Sequence, residues 1–216
     1  MPDYDSARKS YYRMRCEKVA EGLKKRDFEA IVAEDMEEAS ARILEMIDVE
    51  DTVGIPGSVS VRELGLVEAL SERGNGVVQH WVSGRSREEM RSLRLAELNS
   101  DVLLSGTNAI TLDGKLVNID GTGNRVASMV YGPDKVIVIA GANKIADDLD
   151  EALKRSRRVA APINALRLDL DTPCAKTGYC VDCESPKTIC AITVIMEKRP
   201  SETEMIVVLV PEDLGY

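Results

Sequence analysis

The feature that most constrains the fold is a regular alternation of short apolar segments with longer amphipathic ones. Apolar runs of strand length cover residues 28–33, 52–55, 77–81, 101–104 and 135–140. Segments with apolar residues at helical spacing follow most of these runs. Strands that alternate with helices form parallel sheets, because each helix crosses over one face of the sheet. The sequence therefore predicts an open, mostly parallel α/β sheet in a single domain spanning residues 1–216.

The amphipathic segments predict helices between the strands. An N-terminal helix is expected within residues 1–27, and Gly74 is the expected stop of a later helix, since glycine commonly ends helices. The remaining helices are predicted over residues 34–47, 60–73, 86–98 and 144–158.

Three segments depart from this alternation. Asp113-Gly114 separates two apolar stretches, the sequence pattern of a tight β-hairpin, and this hairpin is expected to project from the sheet edge. Residues 160–190 contain four cysteines and three prolines and predict a structured loop without helix. The apolar stretches 190–196 and 205–210 predict two strands that could pair at a sheet edge.

Composition and charge exclude several classes of protein. The 28 basic and 37 acidic residues give a net charge of -9, which disfavours nucleic-acid binding. The charged N-terminal segment lacks a signal-peptide core, and no run of about 18 apolar residues occurs, so we expect a cytoplasmic protein without a membrane span. The amphipathic N-terminal helix is compatible with a homodimer.

Four cysteines near the C-terminus form the strongest local motif. Cys174, Cys180, Cys183 and Cys190 follow the spacing C-x5-C-x2-C-x6-C. An all-thiolate ligand set suits an iron–sulfur cluster and equally suits zinc. A redox dithiol at Cys180 and Cys183, or unreactive thiols, are the alternatives. Cys16 is distant, in the N-terminal helix, and is expected to be structural.

Small polar loops follow three of the predicted strands. In open parallel sheets, ligands bind beyond the carboxyl ends of the strands, where glycines let backbone N–H groups approach an anion. An arginine in such a loop could add a bidentate contact to a carboxylate or phosphate. Glycine and asparagine are also ordinary turn residues, and neither G-x-G-x-x-G nor G-x-x-x-x-G-K-[ST] is present. The candidate ligand-binding residues are Gly57, Ser58, Thr107, Asn108, Gly121, Gly123, Asn124 and Arg125.

Two further residues carry chemistry but no clear assignment. Lys144 could reach the same crevice, although a solvated lysine at a helix start is the favoured interpretation. His80, the single histidine, could act as an acid or base, although a packed or surface histidine is favoured. The sequence therefore identifies no catalytic residue.

The segment GTNAITLDGKLVNIDGTGNRVASMVYGPDKVIVIAGANKI resembles the LUD-domain family of bacterial lactate utilisation, and the resemblance extends through VGIPGSVSVRELG and the cysteine loop. The loop is similar to that of a branch often found as a stand-alone protein. The resemblance implies a fold like that of sugar-phosphate isomerases and coenzyme-A transferases, whose strand-end loops hold phosphate or carboxylate groups. It implies the same eight candidate ligand-binding residues.

Family members in lactate operons act with iron–sulfur and flavin-type partner proteins. The resemblance thus favours an accessory protein of organic-acid oxidation, with redox partner subunits, a small-anion crevice and a cysteine-bound centre. The ligand would be a small organic acid or a phosphorylated small molecule. One alternative is an isomerase- or transferase-type enzyme with structural zinc. The other is a non-catalytic ligand-binding domain.

Overall fold

The computed structural model describes residues 3–216, so the first two residues of the predicted N-terminal helix lie outside the described part. The strands are β1 (Glu29–Val32), β2 (Thr52–Ile55), β3 (Gly76–Gln79), β4 (Val102–Gly106), β5 (Ala109–Thr111), β6 (Leu116–Asp120), β7 (Lys135–Gly141), β8 (Ile145–Ala146), β9 (Ile192–Met196) and β10 (Glu204–Val210).

The α-helices are α1 (Tyr4–Lys24), α2 (Met36–Glu45), α3 (Val59–Glu63), α4 (Leu66–Arg73), α5 (Arg87–Leu98), α6 (Asn124–Val130), α7 (Leu149–Arg155), α8 (Ala161–Arg167) and α9 (Pro173–Thr177). A 3₁₀ turn covers Ala142–Lys144, and a π-helical segment covers Ser156–Ala160. Within residues 3–216, no helix has the length and apolar character needed to cross a membrane.

Six parallel strands form the main sheet, in the order β1-β10-β7-β4-β2-β3. Helices cover both faces, so alternate residues of one strand enter two different apolar clusters. In β10, Ile206 and Val208 pack with α2, α3 and α4, whereas Val207 and Leu209 pack with α1. The predicted open parallel α/β sheet is confirmed.

A second sheet contains four short strands in the order β8-β5-β6-β9. The predicted hairpin at Asp113-Gly114 is confirmed, since β5 and β6 pair antiparallel on either side of this turn. The expectation that the hairpin projects from the edge of the main sheet was wrong. Strands β8 and β9 pair with its two sides, so the hairpin forms the centre of the second sheet. The tip of the hairpin packs against α1, where an added Cβ on Gly114 would lie 2.4 Å from the backbone nitrogen of Leu23.

The predicted N-terminal helix is present as α1. Asp3 caps it by accepting a hydrogen bond from the backbone N–H of Ser6 at 2.7 Å. Cys16 is fully buried in this helix, and burial raises the pKa of its thiol to about 12. It is therefore a protonated core side chain, which confirms its structural assignment.

The predicted helix over residues 60–73 was wrong as one element. Gly65 adopts a left-handed conformation with φ of 67° and divides the segment into α3 and α4. The helix predicted over residues 144–158 was also wrong at its start. Ile145 pairs with β5 as part of β8, and Asp148 caps α7 by accepting a hydrogen bond from the N–H of Glu151 at 2.9 Å.

Two expectations for the C-terminal third were wrong. The cysteine-rich segment was expected to lack helix, but it contains α8 and α9, each with a proline in its first turn, where the missing N–H breaks no helical hydrogen bond. The stretches 190–196 and 205–210 do not pair with each other. Strand β9 pairs with β6 in the second sheet, whereas β10 lies between β1 and β7 in the main sheet.

Candidate functional site

A cavity of about 720 Å³ opens beyond the carboxyl ends of the main-sheet strands. After running from β2 to β3, the chain returns to place β4 on the other side of β2. Ligand sites in parallel sheets form at such reversals of strand order. The loops after β2 and β4 meet there, since an added Cβ on Gly106 would lie 3.0 Å from the Oγ of Ser58.

Most of the residues predicted from the sequence meet at this cavity. Gly123 is not among the lining residues; it lies at the N-cap of α6 with φ of 91°. The predicted residues that line the cavity are Gly57, Ser58, Thr107, Asn108, Gly121, Asn124 and Arg125. Their role in ligand binding stays a prediction.

Several of these side chains are already occupied by hydrogen bonds within the protein. The hydroxyl of Thr107 donates to the carbonyl oxygen of Ala109 at 3.0 Å. The Oδ1 atom of Asn108 accepts a hydrogen bond from the backbone N–H of Ile119 at 2.8 Å. Thr107 and Asn108 therefore hold β4, β5 and β6 in register, and this structural role is sufficient to explain both.

Arg125 connects the two strand ends that border the cavity. Its Nη1 donates to the Oδ1 of Asn118 at 2.7 Å, and its Nη2 donates to the carbonyl oxygen of Ile119 at 2.9 Å. The guanidinium also pairs with Asp120 at 3.4 Å. These contacts use most of the N–H donors of Arg125. The residue therefore contributes positive charge to the cavity and holds its loops in place, and it has few donors left for a ligand.

Lys144 lines the cavity and is buried, with 3% of its surface exposed. The favoured sequence interpretation, a solvated lysine, was wrong. Its Nζ donates to the Oγ of Ser60 at 2.7 Å. Burial, together with the nearby cations Arg155 and Arg125, lowers the pKa of Lys144 to about 7, and Glu63 opposes this only weakly. Lys144 lies in the 3₁₀ turn that follows β7, and no local sequence signal distinguishes it from a solvated lysine at a helix start.

The cavity lining carries a clear excess of positive charge. Arg94 and Arg167 line it together with Arg125 and Lys144, although the whole chain has a net charge of -9. Within residues 3–216, Asp120 is the one acidic side chain on the lining, and it is paired with Arg125. The Nε of Arg94 is buried and has no hydrogen-bond partner in this part of the chain. Such a lining favours an anionic ligand.

Trp81 forms one wall of the cavity between two guanidinium groups. Arg62 lies 4.4 Å and Arg167 lies 4.2 Å from the centre of its ring. These distances are typical of cation–π contacts. Gly57 packs against the indole so closely that an added Cβ would lie 2.3 Å from Nε1. The single tryptophan of the chain therefore lies where a ligand would alter its fluorescence.

His80 also lines the cavity and is held by a buried carboxylate on α5. Its Nδ1 lies 2.7 Å from the Oε1 of Glu97, which also accepts the backbone N–H of His80 at 2.8 Å. Glu97 is fully buried. Because this oxygen also accepts the backbone N–H, Nδ1 of His80 is the ring nitrogen that donates to Glu97. His80 is therefore packed against Glu97, and the same ring also lines the cavity.

The four C-terminal cysteines are partly exposed and unpaired as disulfides among residues 3–216. Burial raises the pKa of Cys190; a hydrogen bond with Thr188 opposes this, and the nearby Cys180 and Cys174 raise it further. Cys174, Cys180 and Cys190 therefore lie near one another. Across the described chain, however, no three His, Cys, Asp or Glu side chains are close enough to hold one metal ion. The metal or cluster site stays a prediction.

The fold and the site define an α/β protein with a cation-lined crevice beyond the carboxyl ends of a parallel sheet. The LUD domain model matches residues 16–210, so the chain belongs to the LUD domain family, which is associated with lactate utilisation. No functionally curated protein matches the sequence.

Several solved structures are similar to this chain, among them the following three. A DUF162 family protein from Deinococcus radiodurans has 14% sequence identity and a TM-score of 0.49, with 94% of this chain and 97% of that chain covered. The eIF2B delta protein from Chaetomium thermophilum has 19% identity and a TM-score of 0.33, with 55% and 52% covered. A ribose 5-phosphate isomerase from Plasmodium falciparum has 20% identity and a TM-score of 0.29, with 50% and 51% covered.

Proposed function

We propose that this protein binds a small organic acid in the cation-lined cavity and serves as an accessory protein of lactate-type organic-acid oxidation. The observation that carries the proposal is the lining itself, where Arg94, Arg125, Lys144 and Arg167 face one paired carboxylate, Asp120. Membership of the LUD domain family supports the choice of a carboxylate ligand. A phosphorylated small molecule has the same charge requirement and is the alternative ligand.

Arg94 offers the sharpest test because it lines the cavity and its Nε is not committed to a partner within residues 3–216. A charged hydrogen bond contributes roughly 1.5–3 kcal/mol, so Arg94→Gln should weaken binding of lactate or pyruvate by about tenfold or more in calorimetry. Arg91→Gln is the matched control, since Arg91 is exposed on the same helix and does not line the cavity. If both variants bind the ligand with equal affinity, Arg94 does not contact it, and binding in the proposed cavity is contradicted.

The same titrations compare the two ligand classes. If inorganic phosphate binds tightly while lactate and pyruvate do not, the alternative enzyme of the isomerase or transferase type gains support. Lys144 favours that alternative to some degree, because an amine with a pKa of about 7 can donate and accept protons near neutral pH.

We further propose that Cys174, Cys180, Cys183 and Cys190 bind an iron–sulfur cluster, with zinc as the alternative. An all-thiolate donor set suits either group chemically, but within residues 3–216 these side chains are not brought close enough together to hold one ion, so the loop would have to close around the metal. A cluster would supply one-electron transfer to redox partner subunits, whereas zinc would stabilise the loop. Absorbance and metal analysis of anaerobically purified protein distinguish the two.

A further inference from the structure

The amine of Lys144 is buried in the proposed ligand cavity without a carboxylate partner. Its Nζ is paired with a hydroxyl group, that of Ser60, at 2.7 Å. The charged groups around it are mainly cationic, because Arg125 and Arg155 outweigh the opposing effect of Glu63. A buried lysine in such surroundings is held partly as the neutral amine, which is the nucleophilic form.

The hydrogen bonds of Ser60 orient this amine. The hydroxyl of Ser60 donates to the carbonyl oxygen of Leu214 at 3.4 Å, so its oxygen is the acceptor for Lys144. An N–H of the amine is thereby directed at Ser60, and this contact leaves the lone pair of the neutral amine unused. Ser60 is a positioning residue in this arrangement.

The other cations of the lining define what the amine would meet. Arg94 and Arg167 line the same cavity and supply positive charge for a carboxylate, although Nε and Nη2 of Arg167 already donate to Tyr216 and Asn164. A small acid that presents its carboxylate to these arginines and carries a carbonyl group beside it would place an electrophilic carbon within the same cavity. A 2-oxo acid combines both groups in the smallest molecule.

We propose that Lys144 forms a covalent imine with a 2-oxo acid bound in the cavity. The Nζ lone pair adds to the carbonyl carbon, the carbonyl π electrons move to the oxygen, and one proton moves from the nitrogen to that oxygen to give a carbinolamine. The hydroxyl group then takes a proton from solvent and leaves as water while the nitrogen lone pair forms the C=N bond, giving a protonated imine. The step needs no oxidant or reductant. It rests on the proposed function, because it requires an organic acid in this cavity.

Borohydride trapping tests the proposal directly. Pyruvate is the probe, and sodium borohydride donates the hydride that reduces the imine to a stable secondary amine. We expect one reduced pyruvyl adduct per chain, located on Lys144 by peptide mass spectrometry and absent from Lys144→Met. Lys154→Met, which removes an exposed lysine outside the cavity, should retain the adduct. Adducts spread over surface lysines, or an adduct that persists in Lys144→Met, would overturn the proposal.

Lactate separates this inference from the proposed function. It carries the same carboxylate without a carbonyl, so it should bind but give no adduct. Ser60→Ala should slow adduct formation roughly tenfold, a larger effect than on the affinity for lactate, and a merely structural role would lower both equally. If neither acid binds, the proposed function fails. If both bind and pyruvate is never trapped on Lys144, only the imine fails.

Discussion

The Nζ of Lys144 donates a hydrogen bond to the Oγ of Ser60 at 2.7 Å, although the two residues lie 84 positions apart. This contact joins the turn after β7 to α3 across the cavity. It buries an amine beside Arg125 and Arg155, which together with burial lowers the pKa of Lys144 to about 7. The proposed ligand chemistry and the first prediction both follow from this relationship.

The buried amine of Lys144 predicts that the difference in unfolding free energy between the wild type and Lys144→Met depends on pH. Between pH about 7 and 10.5, the unfolded chain keeps a proton on Lys144 that the folded chain has lost. The free energy of unfolding therefore rises with pH in this window, by at most about 1.4 kcal/mol per pH unit for one proton. Lys144→Met removes this contribution.

Urea unfolding of both proteins at several pH values checks this prediction. We expect Lys144→Met to be more stable than the wild type at pH 7, with a gap that narrows as the pH approaches 10.5. Comparing the two proteins cancels the other groups that titrate in this range. A gap that stays constant with pH would mean that Lys144 titrates normally.

Close packing of Gly57 on Trp81 predicts a large effect of a single methyl group. Gly57→Ala introduces a left-handed alanine, with φ of 82°, and places Cβ 2.3 Å from the indole nitrogen. Gly65→Ala is a matched control, because Gly65 also has positive φ, of 67°, but faces open space. We expect a loss of about 1 kcal/mol for Gly65→Ala and about 2–4 kcal/mol for Gly57→Ala in thermal or urea unfolding. Similar losses of unfolding free energy in the two variants would show that the indole of Trp81 moves away from the added methyl group at little cost.

The buried pair of His80 and Glu97 predicts a graded response. Glu97→Ala leaves the ring and the backbone N–H of His80 without their acceptor and should cost about 2–4 kcal/mol of unfolding free energy. Glu97→Gln keeps an acceptor oxygen and should cost about half as much. Histidine NMR should show the Nδ1–H tautomer in the wild type. An Nε2–H tautomer would contradict the assigned hydrogen bond.

Single cysteine variants test the proposed metal or cluster site. Changing Cys174, Cys180, Cys183 or Cys190 to Ser should lower the iron or zinc content of the anaerobically purified protein, because each change removes one thiolate ligand. Cys16→Ala should leave the metal content unchanged, since Cys16 is buried in α1. Metal content that is unaffected by all four serine variants would exclude this loop as the site.

The sequence predicted the main sheet because its strands are continuous apolar runs buried on both faces. The run at β7 is an example, with Val136 to Ala140 fully buried. The division of one predicted helix into two and the pairing of the later strands were harder to predict. Gly65 lies within a helical apolar pattern, and only its left-handed conformation divides α3 from α4. The pairing of β9 with β6 depends on contacts between residues distant in sequence, which local patterns do not encode.

The position of the candidate site could be predicted, but not its charges. Glycine-rich loops after strands marked the crevice, since strand ends in a parallel sheet share one edge. Arg94 and Arg167 lie on helices, where arginine is common on solvated faces, and nothing local distinguishes them. Lys144 follows a strand, and its burial depends on α3, which supplies Ser60.

The most direct test of the anion-binding cavity is a fluorescence titration of Trp81 in the wild-type protein. Lactate should cause a saturable one-site change in emission, because the ligand would lie beside the indole and its bound arginines. Lactamide, which has nearly the same shape but no charge, should cause no comparable change. Equal changes in emission with lactate and lactamide, or no change with lactate while the protein is folded, would show that this cavity does not bind the organic acid through its charge.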